Sequence, residues 1–114
     1  MSGTSARQPD NTVAGVIVGG DGTVQFDIAE QTRAVLATIE RYLAAAGATL
    51  ADLVDLTTFL VDMADFDGYN ITYNTVFGNI AAAPARTTVA VRELPHPHLR
   101  VEIKATAYLE REQP

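Results

Sequence analysis

The sequence predicts an α+β domain, on three observations: a glycine-rich hairpin turn near the start, two segments with helical spacing, and several β-branched runs around them. Along the chain these read β-β-α-β-α-β-β. That order has too few strand–helix alternations for a doubly wound sheet, so the expected architecture is a mixed sheet with both helices on one face. At 114 residues the chain can bury about two-thirds of its unfolded surface, enough for one core and not two. Residues 1–114 are therefore read as a single domain.

Thr12 to Val18 reads as a strand, Gly19-Gly20-Asp21-Gly22 supplies a tight turn, and Thr23 to Phe26 returns as the second strand. Asp27 offers an N-cap with Glu30 completing a capping box. Ile28, Thr32, Val35, Leu36, Ile39, Leu43 and Ala46 then recur at helical spacing until Gly47 closes the helix. Leu53 to Val61 is apolar on both alternating faces, as in a central strand covered by helices on one side and by something else on the other. Asp62 or Asp65 can cap a second helix with the stripe Phe66, Tyr69, Tyr73, Val76 and Phe77, and Gly78 can end it. Arg86 to Val91 and Val101 to Leu109 supply the last two strands.

Composition removes several classes of function. The formal net charge is −6, from 14 acidic against 8 basic residues, so the average field repels a nucleic-acid backbone and no nucleic-acid partner is expected. No cysteine is present, which excludes disulfides, cysteine-ligated metals and thiol nucleophiles. His96-x-His98 lacks a third ligand, so no metal is expected. Gly19 to Gly22 fits neither a P-loop nor a dinucleotide fingerprint, and the sequon Asn70-Ile71-Thr72 lies within the second helix. No segment is apolar enough to span or enter a membrane, and a cytoplasmic location is expected.

Strand alternation assigns Thr87, Val89 and Val91 to the core and turns Arg86, Thr88, Ala90 and Arg92 the other way. It likewise turns Val101, Ile103, Ala105 and Ala107 to the helices and Glu102, Lys104, Thr106 and Tyr108 away from them. If the last two strands pair antiparallel, Arg86 faces Glu102 on a charged outer face. From the residues alone this is either a surface ion pair, worth no more than about 1 kcal/mol, or part of a site at a subunit interface.

Three stretches resemble the reactive intermediate deaminase (Rid, YjgF-type) family: Pro84-Ala85-Arg86-Thr87-Thr88-Val89, Val101-Glu102-Ile103-Lys104-Ala105, and the run from Leu53 to Phe66. The resemblance extends from Ser2-Gly3 to Tyr108. It includes Glu30-Gln31-Thr32-Arg33 on the first helix and Asn70 and Tyr73 on the second. It implies a chorismate-mutase-like fold, a homotrimer around a central barrel, and an active site in each cleft between subunits. The family's edge strand before Ser2-Gly3 is then missing or shortened. Within the family, Ser2 to Thr12 and Leu94-Pro95-His96-Pro97-His98-Leu99 are similar to the 2-aminomuconate deaminase subgroup.

The resemblance also implies roles. Arg86 binds the substrate carboxylate, a task suited to the planar guanidinium fork, and Glu102 activates the water that attacks the imine carbon. Both are expected to be catalytic. The backbone at Gly3 and Thr88 shares the carboxylate, with Ser2 beside it. Arg7, His96 and His98 are candidates for a second, distal carboxylate, and at least one of the histidines is read as structural. Asn70 reaches toward the cleft from the second helix, while Tyr73 is read as core. Lys104 either changes the charge of the barrel or pairs with Glu102. The expected function is a cofactor-free hydrolysis of 2-aminomuconate to 4-oxalocrotonate and ammonia in aromatic-compound catabolism. A broad 2-iminopropanoate/2-aminoacrylate deaminase and a non-catalytic trimer binding small carboxylates or partner proteins are the alternatives.

Overall fold

In the computed structural model, which describes residues 3–110, six strands and two helices follow one another. They are β1 (Thr4–Ser5), β2 (Val16–Val18), β3 (Val24–Phe26), α1 (Ile28–Ala45), β4 (Leu53–Leu60), α2 (Phe66–Phe77), β5 (Ala85–Ala90) and β6 (Val101–Ala107). The strand β1 was not expected. It is held by β6, through Thr4 opposite Ile103 and Ser5 opposite Glu102. The hairpin stands as a separate two-stranded sheet, and its first strand is shorter than expected because Val13 instead bridges to Arg7.

Local chemistry sets the helix ends. The Asp27 carboxylate accepts from the Glu30 amide at 3.1 Å, but Glu30 turns to Arg33 at 3.0 Å, so only half of the expected capping box forms. At the other end Gly47 takes φ +78°. The Ala48 amide then reaches the Leu43 carbonyl at 2.8 Å, and the Gly47 amide reaches that of Ala44 at 3.0 Å. This is a Schellman closure, open to glycine because it lacks a Cβ. Asp62 caps the short 3-10 turn Met63–Asp65 by accepting from the Ala64 amide. Asp65 stands at the start of α2 without a capping bond and gives its carboxylate to Arg100.

The main sheet is ordered β1-β6-β4-β5. β4 runs parallel to β5 and antiparallel to β6; α2 makes the crossover between the parallel pair, as such pairs require. The sheet is therefore mixed, as expected, but the last two strands do not pair, because β4 lies between them. Leu56, Leu60, Val101, Ile103 and Ala105 from the sheet pack with Val35, Leu36, Ile39 and Leu43 from α1 and Tyr69, Tyr73 and Phe77 from α2. Both helices thus cover the same face. The opposite face keeps Val89 39 % exposed.

Gln31 was not singled out by the helical stripe, yet it is fully buried. Its amide donates to the His98 carbonyl at 2.8 Å and accepts from the Arg100 amide at 2.9 Å, tying the β5–β6 loop to α1. Arg100 adds a contact with the Asp65 carboxylate at 2.8 Å and lies 5.0 Å from the Phe26 ring centroid. A Gln31→Leu variant keeps the volume but leaves both backbone groups without a partner. It is expected to lose about 2 kcal/mol or more in urea unfolding and to speed exchange of the Arg100 amide; a loss below about 0.5 kcal/mol would contradict this anchoring role.

Candidate active site

Register decides where the site residues point. Arg86 lies opposite Leu56 and Thr88 opposite Thr58, and Leu56 and Thr58 are fully buried beneath the helices. Neighbouring residues in a ladder project to the same face. Arg86, Thr88 and Ala90 therefore face the helices, while Thr87 and Val89 face away, the reverse of the expected assignment. β-Branched residues had marked Thr87 and Val89 as core, but β5 is an edge strand, and its helix-side positions lie over tyrosines that accept a guanidinium.

For β6 the alternation holds: Val101, Ile103 and Ala105 are buried, and Glu102 sits opposite Phe59 on the far face. Arg86 and Glu102 are consequently on opposite faces of the sheet. They are separated by two strand spacings and three residues along β4, about 14 Å between Cα atoms for standard sheet dimensions. They form neither the cross-strand pair nor the surface ion pair considered from the sequence. Ion pairs among the described residues are those of Arg33 with Glu30 and of Arg100 with Asp62 and Asp65.

Each half of the pair has its own setting. The Arg86 guanidinium carbon lies 4.2 Å from the Tyr73 ring centroid and 5.8 Å from that of Tyr69, and Nη1 donates to Asn70 Oδ1 at 2.7 Å. Asn70 and Tyr73 are three residues apart on α2, so one helix face holds both. Tyr69 is fixed below by a 2.6 Å hydrogen bond shared with Thr58 Oγ1. Burial pushes the Tyr73 phenol above its ordinary pKa, against an opposing pull from the Arg86 charge. Tyr73 is core, as expected, and it is also the surface on which Arg86 rests.

Glu102 is half buried, and no hydrogen bond or ion pair holds its carboxylate among the described residues. Gly3 lies against it: a Cβ added at Gly3 would come 2.7 Å from Glu102 Oε2 and 2.9 Å from its carboxyl carbon. Only glycine allows that approach with Glu102 in place. Lys104 shares the far face without pairing with Glu102.

The other expected residues are spread over the molecule. Ser2 lies outside the described residues. Arg7 lines a cavity of about 520 Å³ with Gln8, Asn11, Thr38, Arg41 and Tyr42, beside α1. His98 contacts the rings of Phe26 and His96 at 6.1 and 5.2 Å, and its amide donates to His96 Nδ1 at 3.0 Å, which is a structural setting. His96 lines a cavity of about 450 Å³ in the β5–β6 loop; that cavity holds neither Arg86 nor Glu102. Among the described residues no group of three metal-ligating side chains occurs, and no helix is long and apolar enough to cross a membrane.

Residues 2–109 match the family model described as Endoribonuclease L-PSP. A RutC family protein of Pyrococcus horikoshii is 45 % identical over 87 residues, covering 76 % of this chain and 67 % of that protein. The 2-iminobutanoate/2-iminopropanoate deaminase of Escherichia coli is 38 % identical over 87 residues, covering 75 % of this chain and 67 % of the relative. This chain thus spans about two thirds of the length of the curated relatives it matches. Among solved structures, E. coli TdcF with bound serine superposes at a TM-score of 0.77 and 28 % identity, over 96 % of this chain and 79 % of that one. The chain belongs to the Rid/YjgF family, the group that the L-PSP description covers.

The packing of Gly3 on Glu102 makes a structural prediction. In a Gly3→Ala variant the Glu102 carboxylate is expected to swing away from its present position, with little change in thermal stability because the displaced group is the free end of a side chain. A crystal structure of the variant checks this; an unmoved carboxylate with a shifted backbone at residue 3 would contradict it.

Proposed function

We propose that this protein is a cofactor-independent hydrolase that releases ammonia from a small enamine or imine carrying a carboxylate at the neighbouring carbon. The observation that carries the reading is Arg86, an exposed guanidinium with one nitrogen held by Asn70 and its remaining edge without a partner among the described residues. That edge suits two parallel hydrogen bonds to a carboxylate. The E. coli relative named as a 2-iminobutanoate/2-iminopropanoate deaminase supports the same substrate class.

The chemistry then follows from the two settings. An enamine first moves a proton to carbon to give the imine. Glu102, half buried and without a partner among the described residues, takes a proton from water as the oxygen attacks the imine carbon. The resulting carbinolamine collapses to a ketone as the protonated amine leaves as ammonia. Arg86 and Glu102 lie on opposite faces of one subunit, so the reading requires a second copy: Arg86 on the open edge strand β5 of one subunit meets Gly3 and Glu102 of the next. The homotrimer with sites between subunits, carried over from the family, is the assembly we propose. Its formation would also cover Val89.

A small monocarboxylate imine is the substrate we favour, because it is the class that the E. coli relative's name gives. 2-Aminomuconate is the second reading, favoured by the loops Ser2 to Thr12 and Leu94 to Leu99. Comparing kcat/KM for 2-iminopropanoate and 2-aminomuconate separates the two. The ribonuclease in the family description is not carried over, since a net charge of −6 opposes binding of a phosphate backbone.

With 2-iminopropanoate generated in situ and ammonia followed, the parent is expected to exceed the rate in buffer. Glu102→Gln should lower kcat by about 10²- to 10⁴-fold, the usual contribution of a general base. Arg86→Ala should lower kcat/KM by about 10²-fold, as loss of a charge-assisted bidentate contact would. No acceleration by the parent, or variants equal to it, would sink the enzymatic reading and leave a non-catalytic binding protein.

A further inference from the structure

We infer that Tyr73 is a positioning residue: its ring face fixes the Arg86 guanidinium so that the Nε–Nη2 edge, and not another, is presented to the substrate carboxylate. This rests on the reading of Arg86 as the carboxylate anchor and goes beyond it by naming what orients the anchor.

A long arginine on an edge strand has many rotamers, and a bidentate contact needs one plane and one edge. Two constraints supply them here. The 4.2 Å approach to the Tyr73 centroid lies well within the roughly 6 Å range of a cation–π contact and sets the plane. The hydrogen bond from Nη1 to Asn70 Oδ1 sets the rotation within that plane. Nε and Nη2 then remain without a protein partner among the described residues, and they form the side-on fork that matches a carboxylate.

Tyr73 is itself immobilised. It is 5 % exposed, stacks on Phe77 with centroids 4.5 Å apart at 26°, and leans on Tyr69 at 6.0 Å. Tyr69 is locked by Thr58. The platform is therefore part of the core and does not depend on substrate to form. No hydrogen bond to another described residue holds the Tyr73 hydroxyl, so the ring and not the hydroxyl carries the role.

The test uses the full chain with pyruvate, the product of 2-iminopropanoate hydrolysis, titrated calorimetrically, and with 2-iminopropanoate as substrate. Tyr73→Phe keeps the ring and should match the parent within about twofold in pyruvate Kd and in KM. Tyr73→Met fills the space without a ring; it should weaken pyruvate and raise KM roughly 5- to 30-fold, the range of a partly desolvated cation–π contact, with kcat close to the parent's. Tyr73→Leu serves as the second ringless variant if the methionine form unfolds. A ringless variant that unfolds cooperatively and keeps the parent's Kd and KM overturns the inference, as does a Tyr73→Phe variant that loses binding to the same degree. A parent that neither binds pyruvate nor hydrolyses the imine would instead remove the proposed function. In that case the crystal structure of Tyr73→Met still decides the platform: an Arg86 side chain that leaves Asn70 supports it, and one that keeps that hydrogen bond overturns it.

Discussion

A strand can place successive side chains only on alternate faces, and the consequence of that rule at β4 governs everything proposed for this protein. β4 pairs with β5 on one side and β6 on the other. Its register puts Arg86 level with buried Leu56 and Glu102 level with Phe59. Slipping the β4–β6 pairing by one residue would bring the two onto a common face, but would also turn Val101, Ile103 and Ala105 out of the core. The hydrophobic core thus fixes the face of Glu102, while contacts with Tyr73 and Asn70 hold Arg86 on the other. A reaction that needs both has to be completed by another copy of the chain, and cyclic assemblies provide that arrangement repeatedly.

Around this frame the polar residues divide into those that hold the fold and those left available. Gln31, Arg100 and Asp65 are used up in tying the β5–β6 loop to α1 and to the start of α2. His98 and His96 are engaged with each other and with Phe26. Arg86 and Glu102 are different. Arg86 is oriented by an aromatic surface but keeps one edge open, and Glu102 is half buried with glycine as its close neighbour. A charge that no described residue pairs contributes little to stability and is left available to a ligand.

Much of this was legible in the sequence. The capping aspartate, the helical stripes and Gly47 located both helices because each is a local signal with a local cause. The β6 alternation was legible too, since a central antiparallel strand buries one face cleanly. The β5 faces were not. In an edge strand the β-branched Thr87 and Val89 can face outward, and Arg86 can face inward, because α2 offers Tyr73 instead of an aliphatic surface. The pairing of β5 with β4 was equally hidden, as partner choice depends on the crossover through α2 and not on β5 itself. The burial of Gln31 was not legible in the helical stripe because it is decided by a loop 67 positions away in the chain. Arg86 and Asn70, assigned to the site from family-like motifs, are hydrogen-bonded, while Tyr73, read only as core, lies beneath the guanidinium.

Net charge fits the same account. With six more acidic than basic formal charges, the protein presents a repulsive average field to small anions, so the proposed carboxylate substrate would depend on close-range capture by the preset guanidinium. The most direct test of a site shared between subunits is complementation. Arg86→Ala and Glu102→Ala subunits, each nearly inactive alone, are refolded together and assayed for ammonia release from 2-iminopropanoate. Random mixing in equal amounts should restore roughly one quarter of the parent activity, the share of interfaces with both residues intact. A mixture no more active than the two variants measured separately would contradict the shared site.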